Sequence, residues 1–141
     1  MDREDVYRRV TETAERFGAG NPQQIKLLCS QLSAAPPDEL LSGLLLVVSR
    51  CDPAAPNYQP QELAGRILAA LRPKAKVDLA RCLREILPTY NASIEQIPQY
   101  FESRCGKLLV LNELHLIESE NPQTRAAASS RTMRWWLGDS T

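Results

Sequence analysis

Most of the signatures that mark an enzyme or a secreted protein are missing from this sequence. It has one histidine, His115, in 141 residues, which excludes a histidine-rich metal site. Six glycines are scattered singly, and none belongs to G-x-x-x-x-G-K-[ST], G-x-G-x-x-G or G-x-S-x-G; H-E-x-x-H is absent too. A phosphate-cradling loop and a nucleophile elbow are therefore not expected. The four cysteines, Cys29, Cys51, Cys82 and Cys105, are spaced by 22, 31 and 23 residues, which fits no zinc pattern and contains no C-x-x-C. Long apolar runs are lacking as well. The longest covers residues 44–48, five in all, against the roughly 20 a membrane helix needs. The first residues, Met1-Asp2-Arg3-Glu4-Asp5, are charged and resemble no signal segment. These absences predict a cytoplasmic protein with free, mostly buried thiols, no cofactor and no membrane contact. Without secretion the acceptor-like Asn91-Ala92-Ser93 carries no meaning.

An excess of charge of either sign is also missing: 17 basic residues face 17 acidic ones. A general binder of nucleic acid or membrane surfaces would usually be basic. The distribution is nevertheless dipolar. Residues 61–91 carry a net +3 from Arg66, Arg72, Lys74, Lys76, Arg81 and Arg84 against three acids, and residues 92–120 carry a net −3 that includes Glu113, Glu118 and Glu120. The simplest expectation is that the two faces attract each other in the fold.

What the chain does have is proline, ten of them, lying mostly between apolar segments. Asn21-Pro22, Pro36-Pro37, Gln59-Pro60, Arg72-Pro73 and Asn121-Pro122 each precede an amphipathic run, and proline is favoured at a helix's first position, where its missing N–H costs nothing. The resulting parse predicts eight short helices starting near residues 2, 21, 37, 59, 74, 93, 106 and 121. In the first, Val6, Val10, Ala14 and Phe17 share one face. The third, with Leu40, Leu41 and residues 44–48, is apolar nearly all round, so it should be central, with Gly43 permitting a close crossing. Residues 51–59, with Pro53 and Pro56, form the longest break. Ser93 and Gln96 suggest a capping box, which leaves Pro98 inside a helix as either a start or a kink. No alternating strand pattern or Asn-Gly hairpin turn occurs.

Glu120-Asn121-Pro122-Gln123-Thr124-Arg125-Ala126-Ala127-Ala128 resembles the opening of a HEAT repeat, in which an acidic/Asn-Pro turn precedes Arg and small residues. Asn21-Pro22-Gln23-Gln24 echoes the turn but has Lys26 in place of the arginine. The resemblance implies a helical scaffold for protein contacts and nothing about chemistry. The expected fold is thus a single all-α domain over residues 1–141, its helices in antiparallel pairs stacked as a HEAT-like solenoid, or else an irregular compact bundle.

Candidate functional residues fall in three groups. The C-terminal Arg131, Arg134, Trp135 and Trp136 are of types enriched at protein interfaces. Consecutive tryptophans point about 100° apart on a helix, so both cannot face one neighbour. A partner protein or a homodimer through this last helix is expected, with Glu113, Glu118 and Glu120 as an acidic face that would steer a basic target. Arg66, Arg72, Lys74, Lys76, Arg81 and Arg84 are the alternative, a phosphate-binding face for nucleic acid, although no aromatics are interleaved to stack bases. Cys105 and His115 would be ~15 Å apart on one continuous helix, too far for a thiol–imidazole pair. The expected function is a non-catalytic protein-binding module, such as an inhibitor, an immunity protein or an adaptor; a thiol or carboxylate enzyme is the least favoured reading.

Overall fold

Local capping chemistry accounts for most of the helix starts. The computed structural model describes residues 1–52 and 57–139, which form eight α-helices and no strand. Pro53 and Pro56 of the expected break lie outside the described residues. Helix α1 (Arg3–Phe17) opens on a capping box: the Asp2 carboxylate accepts the Asp5 N–H at 2.9 Å, and Asp5 accepts the Asp2 N–H at 3.1 Å. Asn21 caps α2 (Pro22–Leu32) by accepting the Gln24 N–H at 3.2 Å. Pro37 starts α3 (Pro37–Ser49), and Pro60 lies in the first turn of α4 (Gln59–Leu71).

Three starts depart from the proline parse. The fifth helix does not begin near residue 74. Arg72 ends α4 in the left-handed region (φ +43°), and the chain then runs without helix to Asp78, whose carboxylate accepts the Arg81 N–H at 3.3 Å and opens α5 (Leu79–Ile86). Three hydrogen bonds hold that strap: Tyr100 O–H to the Pro73 carbonyl (2.6 Å), the Arg104 guanidinium to the Ala75 carbonyl (2.8 Å), and the Lys76 N–H to Asp38 (2.9 Å). In the sixth helix, Ser93 is not the cap. It turns back on the Asn91 side chain, and α6 (Gln96–Cys105) begins later. Pro98 is then the third helical residue, in the first turn, where an N–H has no intrahelical partner to lose; the helix starts there and does not kink. Gly106, at φ +89°, separates α6 from α7 (Lys107–Glu120), so Cys105 and His115 lie on different helices. The last helix, α8 (Arg125–Trp136), starts where Thr124 Oγ1 accepts the Ala127 N–H at 3.2 Å, three residues beyond the Asn121-Pro122 turn.

Helix α3 is the enclosed element, with eight of its thirteen residues buried. It packs against α1, α4 and α5. The crossing with α1 is close at Gly43, where a Cβ would stand 2.4 Å from Val6 Cβ and 2.8 Å from the Arg3 carbonyl oxygen. Gly65 is similarly tight, against Ile94 at 2.8 Å. One apolar core runs from Val6 to Leu137. Gln61 is buried in α4, where its Nε2 donates to the Thr89 carbonyl at 3.1 Å and its Oε1 accepts the Asn91 N–H at 2.6 Å. It thereby holds the turn that joins α5 to α6. Each principal helix–helix contact joins helices no more than three apart in the chain. Among the described residues no helix is long and apolar enough to cross a membrane.

Candidate protein-binding surface

Seven of the fourteen residues of α7 are large and apolar, too many for one buried stripe. Val110, Leu114 and Ile117 face the core. Leu108, Leu109 and Leu116 do not, and are 73%, 53% and 50% exposed. The 3.6-residue period puts Leu109, Asn112, Leu116 and Ser119 along one line, flanked by Leu108, on the side of α7 away from the core. No residue on that line is charged.

Helix α8 runs antiparallel beside α7, with Ser130 O–H donating to the Leu114 carbonyl at 2.6 Å and Arg131 bound to Glu118 at 3.0 Å. It adds Trp135, 66% exposed and one turn beyond Arg131. The two tryptophans divide as their 100° offset requires. Trp136 is half-buried, its indole N–H donating to the Ala92 carbonyl at 2.6 Å, while Trp135 packs edge-on against it with ring centres 4.9 Å apart and otherwise faces out. Met133 and Leu137 take the inward positions of α8.

Polar side chains also join the two helices. Arg134 is buried, and its guanidinium bonds to Glu118 and, at 2.5 Å, to His115 Nδ1. Glu118 also accepts from Arg131, and His115 Nε2 lies 2.8 Å from Asp139. One carboxylate thus bridges two guanidiniums. Arg134 Nε has no hydrogen-bond partner among the described residues. A buried charge held this way costs far more when its partner is removed than the pair itself contributes.

The structure brings the two charged faces together. Arg84, on α5, binds both Glu113 (3.3 Å) and Glu120 on α7, and the Glu120 carboxylate, then Glu113, raises the guanidinium's pKa. The acidic candidates are therefore all engaged: Glu113 and Glu120 by Arg84, and Glu118 by Arg131 and Arg134. Of the basic candidates, Arg66 pairs with Glu62 at 3.0 Å within α4, a surface pair of little energetic weight. Arg72, Lys74, Lys76 and Arg81 form no ion pair among the described residues and lie on or beside the strap between α4 and α5.

Burial pushes all four thiols away from the reactive thiolate. Cys82 rises to about 11, and Cys29, Cys51 and Cys105 move in the same direction for the same reason. No three His, Cys, Asp or Glu side chains among the described residues converge as metal ligands.

The outward position of Leu108, Leu109 and Leu116 was not among the expectations drawn from the sequence. Their signal was present in the excess of apolar positions over what one face holds. Comparison with known protein families, curated proteins and solved structures finds no match for this chain.

Proposed function

We propose that this chain is a non-catalytic, cytoplasmic protein-binding module, of the inhibitor, immunity-protein or adaptor kind, and that it binds through the outer face of α7 together with Trp135. The observation that carries the proposal is the uncharged line Leu109, Asn112, Leu116 and Ser119 with Leu108 beside it on α7, together with the exposed Trp135 on the neighbouring helix α8. Exposed leucine and tryptophan side chains gathered on two adjacent helices are the usual mark of an interaction site. Raised thiol pKa values support the non-catalytic part, because the thiolate is the nucleophile. We also propose that the helices stack in chain order as HEAT-like repeats do, which is supported by contacts confined to near neighbours in sequence.

The test is affinity capture from source cells, comparing the wild type with the double variant L109E/L116E and with W135A, each checked for helix content by circular dichroism. A partner retained by the wild type and lost by the double variant is expected. Equal capture by all three would overturn the proposal.

One observation favours a second function. The side chains of Arg72, Lys74, Lys76 and Arg81 form no ion pair among the described residues, so the strap is the place for a phosphate backbone to bind. A mobility shift with an oligonucleotide at low salt, weakened by K74E/K76E, is the expected signature; no shift at low salt eliminates it, because phosphate binding is strongest there.

A further inference from the structure

We propose that the cleft between α4 and α6 binds a small phosphate monoester, a terminal phosphoryl group on a short apolar stem. This site is separate from the α7 face and does not depend on it. The cleft has a volume of about 180 Å³. That is below the roughly 300 Å³ at which pockets for drug-sized ligands begin, so its occupant is compact.

Two guanidiniums line the cleft and no carboxylate does. Arg72 comes from the end of α4 and Arg104 from the last turn of α6, and neither forms an ion pair among the described residues. An arginine offers five N–H donors. The Ala69 carbonyl accepts from Arg72 Nε at 3.3 Å, and the Ala75 carbonyl accepts from Arg104 at 2.8 Å, which leaves most of both forks for a ligand. Gln99 and Ser103 add neutral donors to the same lining. The acids of α6 lie elsewhere: Glu95 and Glu102 stand about 140° and 160° around the helix from Tyr100, which faces the cleft. Leu68 and Tyr100 supply the apolar part of the lining. Leu68 is fully enclosed, and Tyr100 is 5% exposed with its hydroxyl engaged by the Pro73 carbonyl.

The backbone singles out Arg72. It is the one non-glycine residue with positive φ among the described residues (+43°). It also precedes Pro73, and a residue before proline is steered toward extended backbone. Glycine is the usual residue where a helix ends in this conformation, and it would fit without strain. An arginine held there against both preferences is the kind of local strain that collects at ligand sites.

The pair of guanidiniums also selects the charge of the ligand. A phosphate monoester carries close to two negative charges at neutral pH and three strong acceptor oxygens. A carboxylate or a phosphodiester carries one charge. The cleft therefore suits a terminal phosphoryl group better than a nucleic-acid backbone.

Isothermal titration calorimetry of the full chain with phenyl phosphate tests this. Half-saturation at or below ~1 mM is expected, with benzoate and the diester methyl phenyl phosphate at least ~tenfold weaker. Arg72→Gly should lose at least ~tenfold in affinity while circular dichroism shows the fold retained. Ser103→Asp, at an exposed position, is the second variant: its carboxylate would occupy the guanidiniums and block binding from within. No binding of phenyl phosphate overturns the proposal, as does binding that survives Ser103→Asp or equal binding of benzoate. An oligonucleotide without terminal phosphates separates the cleft from the strap. It should not displace phenyl phosphate. Displacement would give the cleft to a nucleic-acid backbone and overturn the proposal, whereas a mobility shift without displacement would support two separate sites.

Discussion

Helices α3 and α7 each carry seven large apolar side chains, in thirteen and fourteen residues, yet eight residues of α3 are buried and only three of α7. Neighbours surround α3: α1 crosses it at the van der Waals limit over Gly43, while α4 and α5 cover other sides. The neighbours of α7 are α5, α6 and α8, and they leave Leu108, Leu109 and Leu116 uncovered. Composition therefore says how much apolar surface a helix offers, and topology says how much of it the chain itself uses. The unused part of α7 is where a partner gains most.

The sharpest way to break the comparison is a matched pair of truncations. Leu44→Ala in α3 should cost about 2–5 kcal/mol in chemical denaturation, whereas Leu116→Ala, measured too dilute for association, should stay within about 0.5 kcal/mol. Equal losses would mean that the outer face of α7 is covered within one chain. Next in size is Gly43→Ala, which places a methyl group against Val6 and the Arg3 carbonyl; overpacking of this kind costs about 1–3 kcal/mol, read as a lower denaturation midpoint. Gly106→Ala offers the control that space alone is not the issue, since nothing lies near its Cβ position and only the positive φ resists. On the α7 side, Glu118→Gln removes the charge that Arg131 and Arg134 share and should cost about 1–2 kcal/mol, more than Glu62→Gln beside Arg66, which should be nearly neutral. The smallest expected effect concerns Tyr90, between the two regions. Burial raises its pKa, so its contribution is fully present below the ordinary tyrosine value near 10 and is lost as pH rises through the higher folded value. Tyr90→Phe should flatten that alkaline limb in a denaturation series across pH, at the expense of the 2.8 Å bond to the Ile94 carbonyl.

Backbone chemistry made much of the fold legible in advance. Asn21, Pro37 and Pro60 mark their helices because capping and proline placement act over three or four residues, the range a sequence window sees. The failures have tertiary causes. Residues 73–78 have a helical pattern, but Tyr100, Arg104 and Asp38 bind the backbone of this stretch and hold it out of helix, and none of these is near in sequence. Ser93 looks like a cap until Asn91 claims it. The site was half legible. Trp135 and Trp136 could be told apart only in role, because which one meets Ala92 depends on a turn 44 residues away. The Arg84 pairing with Glu113 and Glu120 was implied by opposite local charges. The open side of α7 was hidden, since the sequence does not say where neighbours stop.

Gln61 gives the connection between the two regions an unusual dependence on a single atom. Its side-chain amide imitates a peptide unit, offering one donor and one acceptor to the backbone of the loop at Thr89 and Asn91. Gln61→Glu preserves shape but replaces the donating nitrogen with oxygen. The contact with the Thr89 carbonyl would then require a proton, so the joint would close in acid and open at neutral pH. A conversion so small makes this buried amide a ready place to install a switch in a fold that has none at that position.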